Sequence, residues 1–120
     1  MLNSYRDLIV WQKGIELVME IYRATDLLPK TEQYGLAAQM RRAAVSIPSN
    51  IAEGYTRKHR QEYLQFVRIA FGSGAELQTQ LIIAKKLYPS LGNAAARAAL
   101  LLEEVMRMLY KLSCSLDSKS

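Results

Sequence analysis

Apolar residues recur along most of the chain with the three- and four-residue spacing that is typical of amphipathic helices. In the first segment five of them fall on one side of a helix: Leu8, Trp11, Ile15, Val18 and Tyr22. This pattern predicts a helix over about residues 7–24 with that stripe on its buried face. Pro29 ends the segment, because the residue before a proline is pushed away from helical geometry. Thr31 is then the predicted N-cap of the next helix.

The second segment predicts a helix over about residues 32–54 with three distinct strips. The apolar strip is Leu36, Met40, Ala43, Ala44, Ile47 and Ile51, and the polar one is Gln39, Arg42, Ser46, Ser49, Asn50 and Glu53. Between them lies a third strip of small and apolar residues: Arg41, Val45, Pro48 and Ala52. Pro48 predicts either a kink or a restart at Ser46, and we expect the kink because the apolar strip keeps its phase through Ile51. Gly54 is the predicted stop.

The third segment has the clearest period and predicts a helix over about residues 60–87. Its apolar positions are Tyr63, Val67, Ala70, Gly74, Leu77, Leu81, Ala84 and Tyr88. Two glycines inside this helix, Gly72 and Gly74, each cost about 1 kcal/mol relative to alanine. We interpret them as points of close helix approach, since a phosphate-binding loop would need a preceding strand.

The fourth segment predicts a helix over about residues 93–115 with two apolar seams instead of one. The first seam is Leu91, Ala94, Ala98, Leu101, Val105, Met108 and Leu112, and the second is Ala95, Ala99, Leu102, Met106 and Leu109. A helix that is apolar around most of its circumference is buried around most of it. We expect one subunit to cover the first seam only. Ala95, Ala99, Leu102 and Met106 would then meet another subunit, together with Val45 of the third strip of helix 2.

Four helices joined by short connections predict an all-α, antiparallel, up-down-up-down four-helix bundle that forms a single domain over residues 1–120. Six glycines and three prolines in 120 residues favour helix over a turn-rich β fold. The lone Cys114 cannot form an internal disulfide, and no hydrophobic segment precedes a cleavage-like site near Met1–Arg6, so we expect a cytoplasmic protein. No stretch approaches the roughly 20 apolar residues of a membrane span.

The chain contains few residues that could act as catalytic groups. His59 is the only histidine and lies in a basic turn, while Cys114 has no flanking motif. Glu53 and Glu76 could approach each other between helices 2 and 3, but di-metal bundles also use Glu-x-x-His pairs, which are absent. We therefore expect no enzymatic activity, no metal and no cofactor.

Basic residues offer the better-supported site. Sixteen Lys and Arg against eleven Asp and Glu give a net charge of +5, and one candidate cluster spans helix 2, the following turn and helix 3: Arg41, Arg42, Arg57, Lys58, His59, Arg60 and Arg68. Such clusters bind phosphates, and the nearby Tyr55 and Tyr63 could stack on unpaired bases. The equally weighted alternative is a solvated corner diluted by Glu53 and Glu62. A further alternative is a structural polar network of Arg42, Asn50 and Glu53 that bridges helices or subunits.

Several stretches resemble one known family. They are Leu8-Ile-Val-Trp-Gln-Lys, Tyr34-Gly-Leu, the run from Gln39 to Gly54, and the run from Ala70 to Leu81. They are similar to the four-helix-bundle proteins encoded in intervening sequences of bacterial 23S ribosomal RNA genes. The resemblance spans nearly the whole chain, and its most specific part is Arg-Arg-Ala-Ala-Val-Ser-Ile-Pro-Ser-Asn-Ile-Ala-Glu-Gly, residues 41–54.

The resemblance implies a left-handed bundle that assembles as a ring of five subunits, without an established enzymatic activity and with a role in RNA binding. The family is also similar to accessory proteins of diversity-generating retroelements, which are basic pentameric barrels that bind nucleic acid and a reverse transcriptase. The family motif falls here on Arg41, Arg42, Pro48, Asn50, Glu53, Gly54, Gly72, Ser73, Glu76 and Gln80.

Two function hypotheses follow. The first is a ring-forming homo-oligomer that binds RNA or DNA through Arg41, Arg42, Arg57, Lys58, Arg60 and Arg68. The second is a scaffold whose ring recognises an unidentified protein partner through Arg41, Val45, Pro48 and Ala52, with its charge serving solubility.

Overall fold

The computed structural model describes residues 4–118 and contains four α-helices: α1 (Ile9–Thr25), α2 (Leu36–Thr56), α3 (Arg60–Leu87) and α4 (Gly92–Asp117). Short 3-10 turns precede three of them, at Tyr5–Asp7, Lys30–Glu32 and Pro89–Leu91. No strand occurs within residues 4–118. The predicted all-α four-helix bundle is therefore confirmed, while residues 1–3 and 119–120 of the predicted domain lie outside the described residues.

Each helix packs on its neighbours in the chain, and α1 also packs on α4. Helices α1 and α2 run in opposite directions, since Tyr22 near the end of α1 lies under Arg41 near the start of α2, whereas Gly14 faces Pro48. Helices α2 and α3 do so too, since Ser46 contacts Ser73 whereas Gly54 lies against Phe66. The up-down-up-down order of the whole bundle stays a prediction. The left-handed sense of the bundle stays a prediction.

The buried face of α1 differs from the predicted stripe. Its core residues are Val10, Gly14, Leu17, Ile21, Ala24 and Thr25. Leu8, Trp11 and Val18 of the predicted stripe are partly buried against the core, whereas Ile15 and Tyr22 are exposed, so the stripe lies only partly on the buried face. The helix is apolar over a wide arc, and two phases of the same spacing compete. On the observed buried face Gly14 lies against Pro48 of α2, where a Cβ on Gly14 would be 3.4 Å from the Pro48 Cβ.

Both predicted ends of α2 are also corrected. Thr31 lies within a 3-10 turn, and the helix begins at Leu36, whose N–H donates to the Glu32 carboxylate at 3.2 Å. At the other end α2 runs through Gly54 to Thr56, so Gly54 is not a stop. The helix is continuous through Pro48, which excludes a restart at Ser46. The predicted kink stays a prediction.

Both apolar seams of α4 face other helices of the same subunit. Ala95, Leu102 and Met106 of the second seam are buried, with Leu102 1% and Met106 8% exposed, and Ala99 is half-buried. The expectation that a single subunit leaves this seam open is wrong. Since α4 lies between α1 and α3, it has one neighbour for each seam, and Met106 meets Gly74 of α3.

Candidate nucleic-acid interface

The α2–α3 turn carries the centre of the predicted basic cluster. Lys58 adopts a left-handed backbone conformation with φ of 66°, which reverses the chain within the few residues between the two helices. Lys58, His59 and Arg60 are all exposed there. His59 precedes the first turn of α3 without a side-chain capping bond. The turn is therefore a short, exposed basic segment at one end of the bundle.

Arg57 is held by its neighbours. Its Nη2 lies 2.9 Å from Oε2 of Glu53, and its Nη1 lies 3.9 Å from Oε1 of Glu62. The guanidinium also lies over the Phe66 ring, 5.1 Å from the centroid. Two carboxylates thus compensate much of the charge of Arg57, whereas Lys58 beside it is exposed and forms no ion pair within residues 4–118.

Arg68 lies further along α3 and reaches the end of α4. Its Nη2 is 3.4 Å from Oδ2 of Asp117, and both side chains are mostly exposed. An exposed pair of this kind contributes little to stability and is screened by salt. The contact places the C-terminal end of α4 at the same end of the bundle as the α2–α3 turn.

Arg41 and Arg42 do not join this cluster. They lie 16 and 15 positions before Arg57, which follows the last residue of α2, so they are separated from the turn by about 22–24 Å along the helix axis at 1.5 Å per residue. The expected single patch of six cations is wrong for this reason. The structure instead has two basic groups, one at the turn and one beside the α1–α2 connection.

The tyrosines expected to stack on bases near the turn pack on each other. The rings of Tyr55 and Tyr63 meet edge to face, with centroids 5.8 Å apart and an interplanar angle of 87°. Burial raises the pKa of Tyr63 to about 12, with a smaller contribution from Tyr55. Because Gly54 carries no side chain, Tyr63 and Phe66 approach α2 closely at this point. Tyr63 serves the α2–α3 contact and is not an open stacking surface.

The polar motif residues form a different network from the one expected. Asn50 Nδ2 donates to the Ser46 carbonyl at 2.8 Å and to Ser46 Oγ at 2.9 Å, and Ser46 Oγ lies 2.8 Å from Ser73 Oγ. Glu53 pairs with Arg57 instead. The bridge between α2 and α3 therefore runs through the two serines. It borders a cleft of about 460 Å³ lined by Gln39, Arg42, Ala43, Ser46, Ser73 and Glu76.

Gln80 continues this polar face into the interior. It is buried, and its Nε2 lies 3.4 Å from Oε2 of Glu76, while Oε1 has no hydrogen-bond partner among the described residues. A buried acceptor without a partner costs about 1–3 kcal/mol.

Sequence reasoning missed a groove between α1 and α2. Its volume is about 530 Å³, and its lining is Tyr22, Gln33, Tyr34, Ala38, Arg41, Arg42 and Val45. Tyr34 is the most exposed of the large hydrophobic side chains in residues 4–118, at 89%. The available signal was an aromatic residue in a polar connection directly before a helix, which the periodic pattern does not interpret.

Neither a metal-ligand cluster nor a membrane-spanning helix is found within residues 4–118. Within residues 4–118 no group of three His, Cys, Asp or Glu side chains is arranged to hold a metal ion. None of the helices in this range combines the length and the apolar character that crossing a bilayer requires.

Comparison with known families agrees with the resemblance seen in the sequence. A model described as 23S rRNA-intervening sequence protein matches residues 6–111. A comparison with curated proteins found no match. The matched range includes the α2–α3 turn, the polar cleft and the α1–α2 groove.

Proposed function

Because the chain belongs to the 23S rRNA-intervening sequence protein family, we propose that it is a non-enzymatic, ring-forming homo-oligomer that binds RNA through the cations of the α2–α3 turn. The observation that carries this proposal is the environment of Arg57. Its bonds to Glu53 and Glu62 and its contact with Phe66 brace the turn, while Lys58 and Arg60 beside it are exposed. Exposed Lys and Arg on a fixed support can contact phosphates without reading sequence.

The test replaces Arg57, Lys58 and Arg60 by alanine together. A matched control replaces Lys85, Lys86 and Arg97 by alanine, which removes the same amount of positive charge. These three residues are exposed and form no ion pair within residues 4–118. We expect the turn variant to bind a structured RNA less tightly, with a smaller slope of log affinity against log salt. Each lost phosphate contact lowers the slope by about 0.7–0.9.

Electrophoretic shift at several salt concentrations measures this effect. If both triple variants lose affinity equally, binding reflects net charge alone and the turn has no special role. Wild-type protein that shifts no RNA at low salt contradicts the proposed function altogether.

Exposed apolar side chains support self-association. Among residues 4–118 the large hydrophobics on the outer surface of the helices include Ile15, Met19, Ile82 and Leu100. Ile15 and Met19 belong to α1, whereas Leu100 belongs to α4. A ring requires a heterologous contact between two unlike surfaces, and these two helices supply unlike apolar surfaces. The five subunits that the resemblance implies are part of the proposal.

Most of the surface strip that the scaffold hypothesis requires for recognising a protein partner is not accessible. Pro48 is buried against Gly14 of α1, and Arg41 is bonded to Thr25 and Asp26. Only Val45 and the half-buried Ala52 remain of the expected recognition strip. We therefore favour RNA over a protein partner for the basic face of this molecule.

A further inference from the structure

We propose that the α1–α2 groove binds an unpaired base of single-stranded RNA, which stacks on Tyr34 while Arg42 holds the adjoining phosphate. The inference rests on the proposed RNA-binding function and adds a second site to it. This site would give the protein a preference for single strands, which the turn alone does not provide.

Arg41 and Tyr22 form a fixed wall of the groove. Arg41 Nε donates to Thr25 Oγ1 at 2.8 Å, and Arg41 Nη2 lies 2.9 Å from Oδ1 of Asp26. The guanidinium is 4.7 Å from the centroid of the Tyr22 ring. These three contacts fix the Arg41 side chain. A planar guanidinium and an aromatic ring held in place are surfaces on which bases stack.

Tyr34 supplies the open aromatic surface. It lies in the turn before α2 and is nearly fully exposed. Ala38 and Val45 line the same groove with apolar side chains. Stacking on an aromatic side chain tolerates any base, because every base has a π face.

The charge around the groove favours a polyanion. Arg42 is exposed and forms no ion pair within residues 4–118. Lys30 is also exposed and lines an adjoining cavity that shares Gln33 and Arg41 with the groove. The carboxylate of that cavity, Asp26, is already bound to Arg41. The groove therefore combines open aromatic surface with uncompensated positive charge.

A second groove of about 500 Å³ provides a contrast on the α3–α4 face. It contains Phe71 and Tyr110, but its lining includes Glu103, whose carboxylate lies 3.7 Å from Arg107. This acidic group is paired with Arg107, while Lys111 of the same lining is exposed and forms no ion pair within residues 4–118. The two grooves therefore differ in their tyrosines: Tyr110 packs against Phe71, with ring centroids 6.5 Å apart, and is less exposed than Tyr34, so it is a matched control for Tyr34.

The experiment measures fluorescence anisotropy of a labelled, unstructured RNA of about 12 nucleotides, a length within the usual range of single-strand sites, and of the corresponding duplex. We expect Tyr34→Ala to weaken single-strand binding by about 5- to 150-fold, the range for loss of one stacked base. Tyr34→Phe should retain affinity because the ring remains. Tyr110→Ala should leave the single-strand affinity unchanged, and Tyr34→Ala should leave the duplex affinity unchanged. Arg42→Ala should lower the salt slope by about one, and Arg97→Ala should not.

The outcomes separate the two proposals. If the wild type binds neither RNA, the proposed function fails. If the triple variant at the turn weakens binding while Tyr34→Ala does not, only the groove inference is overturned. If Tyr34→Ala changes the mass seen by light scattering and leaves single-strand affinity intact, the groove is a contact between subunits, and base binding there is overturned as well.

Discussion

At the scale of single residues, three glycines in α2 and α3 meet very different surroundings. A Cβ on Gly54 would lie 2.7 Å from the Cβ of Phe66, and one on Gly74 would collide with the Met106 sulfur. A Cβ on Gly72 would meet nothing within 4 Å. The first two glycines permit close helix approach, whereas Gly72 lies on an open helix surface.

Alanine at Gly54 and at Gly72 should therefore change stability in opposite directions. Gly72→Ala should raise the free energy of unfolding by about 0.5–1 kcal/mol, because the helix gains a better former and nothing must move. Gly54→Ala should lower the free energy of unfolding by about 1–3 kcal/mol, because the clashing atom is the Phe66 Cβ. This atom is bonded directly to the backbone, so no side-chain rotation can move it away. Urea denaturation followed by circular dichroism measures both. A stabilised Gly54→Ala variant would contradict the close packing of α2 and α3.

Residue-scale contacts were the least predictable part of the candidate site. Close approach at glycines followed from the sequence, but Gly72 has the same local signature as Gly74 and no such role. Arg41 was predicted as a phosphate ligand, yet its bonds go to Thr25 and Asp26, 16 and 15 positions away. Partners so distant along the chain leave no periodic signal.

At the scale of elements, the sequence predicted where the helices lie better than which face each one buries. Spacing reports that a helix has an apolar arc, and α1 has an arc wide enough for two phases. The face it buries places Gly14 against Pro48, which belongs to another helix. For α4 the sequence predicted two seams, but the inference that one stays open overlooked the two neighbours that each helix of such a bundle has. Both errors arise from packing between elements.

At the scale of the whole molecule, only the α4 residues that the bundle leaves exposed can contact another subunit. Leu100 is 69% exposed, whereas Leu102 is 1% exposed and two positions away on the same helix. Leu100→Glu should leave the helical content unchanged and dissociate the assembly. Leu102→Glu should instead lower the free energy of unfolding by more than about 3 kcal/mol, because it places a carboxylate in the core.

Light scattering and circular dichroism distinguish these results. The expected wild-type mass is five times the 13.6 kDa of one chain. A wild-type monomer at micromolar concentration refutes self-association, and a dimer refutes the ring. Unchanged mass for Leu100→Glu would exclude this part of α4 from the interface.

One hydrogen bond of the bundle also bears on the order in which the chain folds. Tyr88 Oη donates to Oε2 of Glu32 at 2.6 Å, and the two residues are 56 positions apart. This bond holds the pKa of Glu32 below and that of Tyr88 above their usual values. It joins the residues just before α2 to the end of α3, so it can form only after α2 and α3 have docked along their whole length. Closing so long a loop is costly before other contacts compensate.

In stopped-flow experiments Tyr88→Phe should therefore raise the unfolding rate constant and leave the folding rate constant nearly unchanged. A slower folding rate would instead place this contact in the transition state.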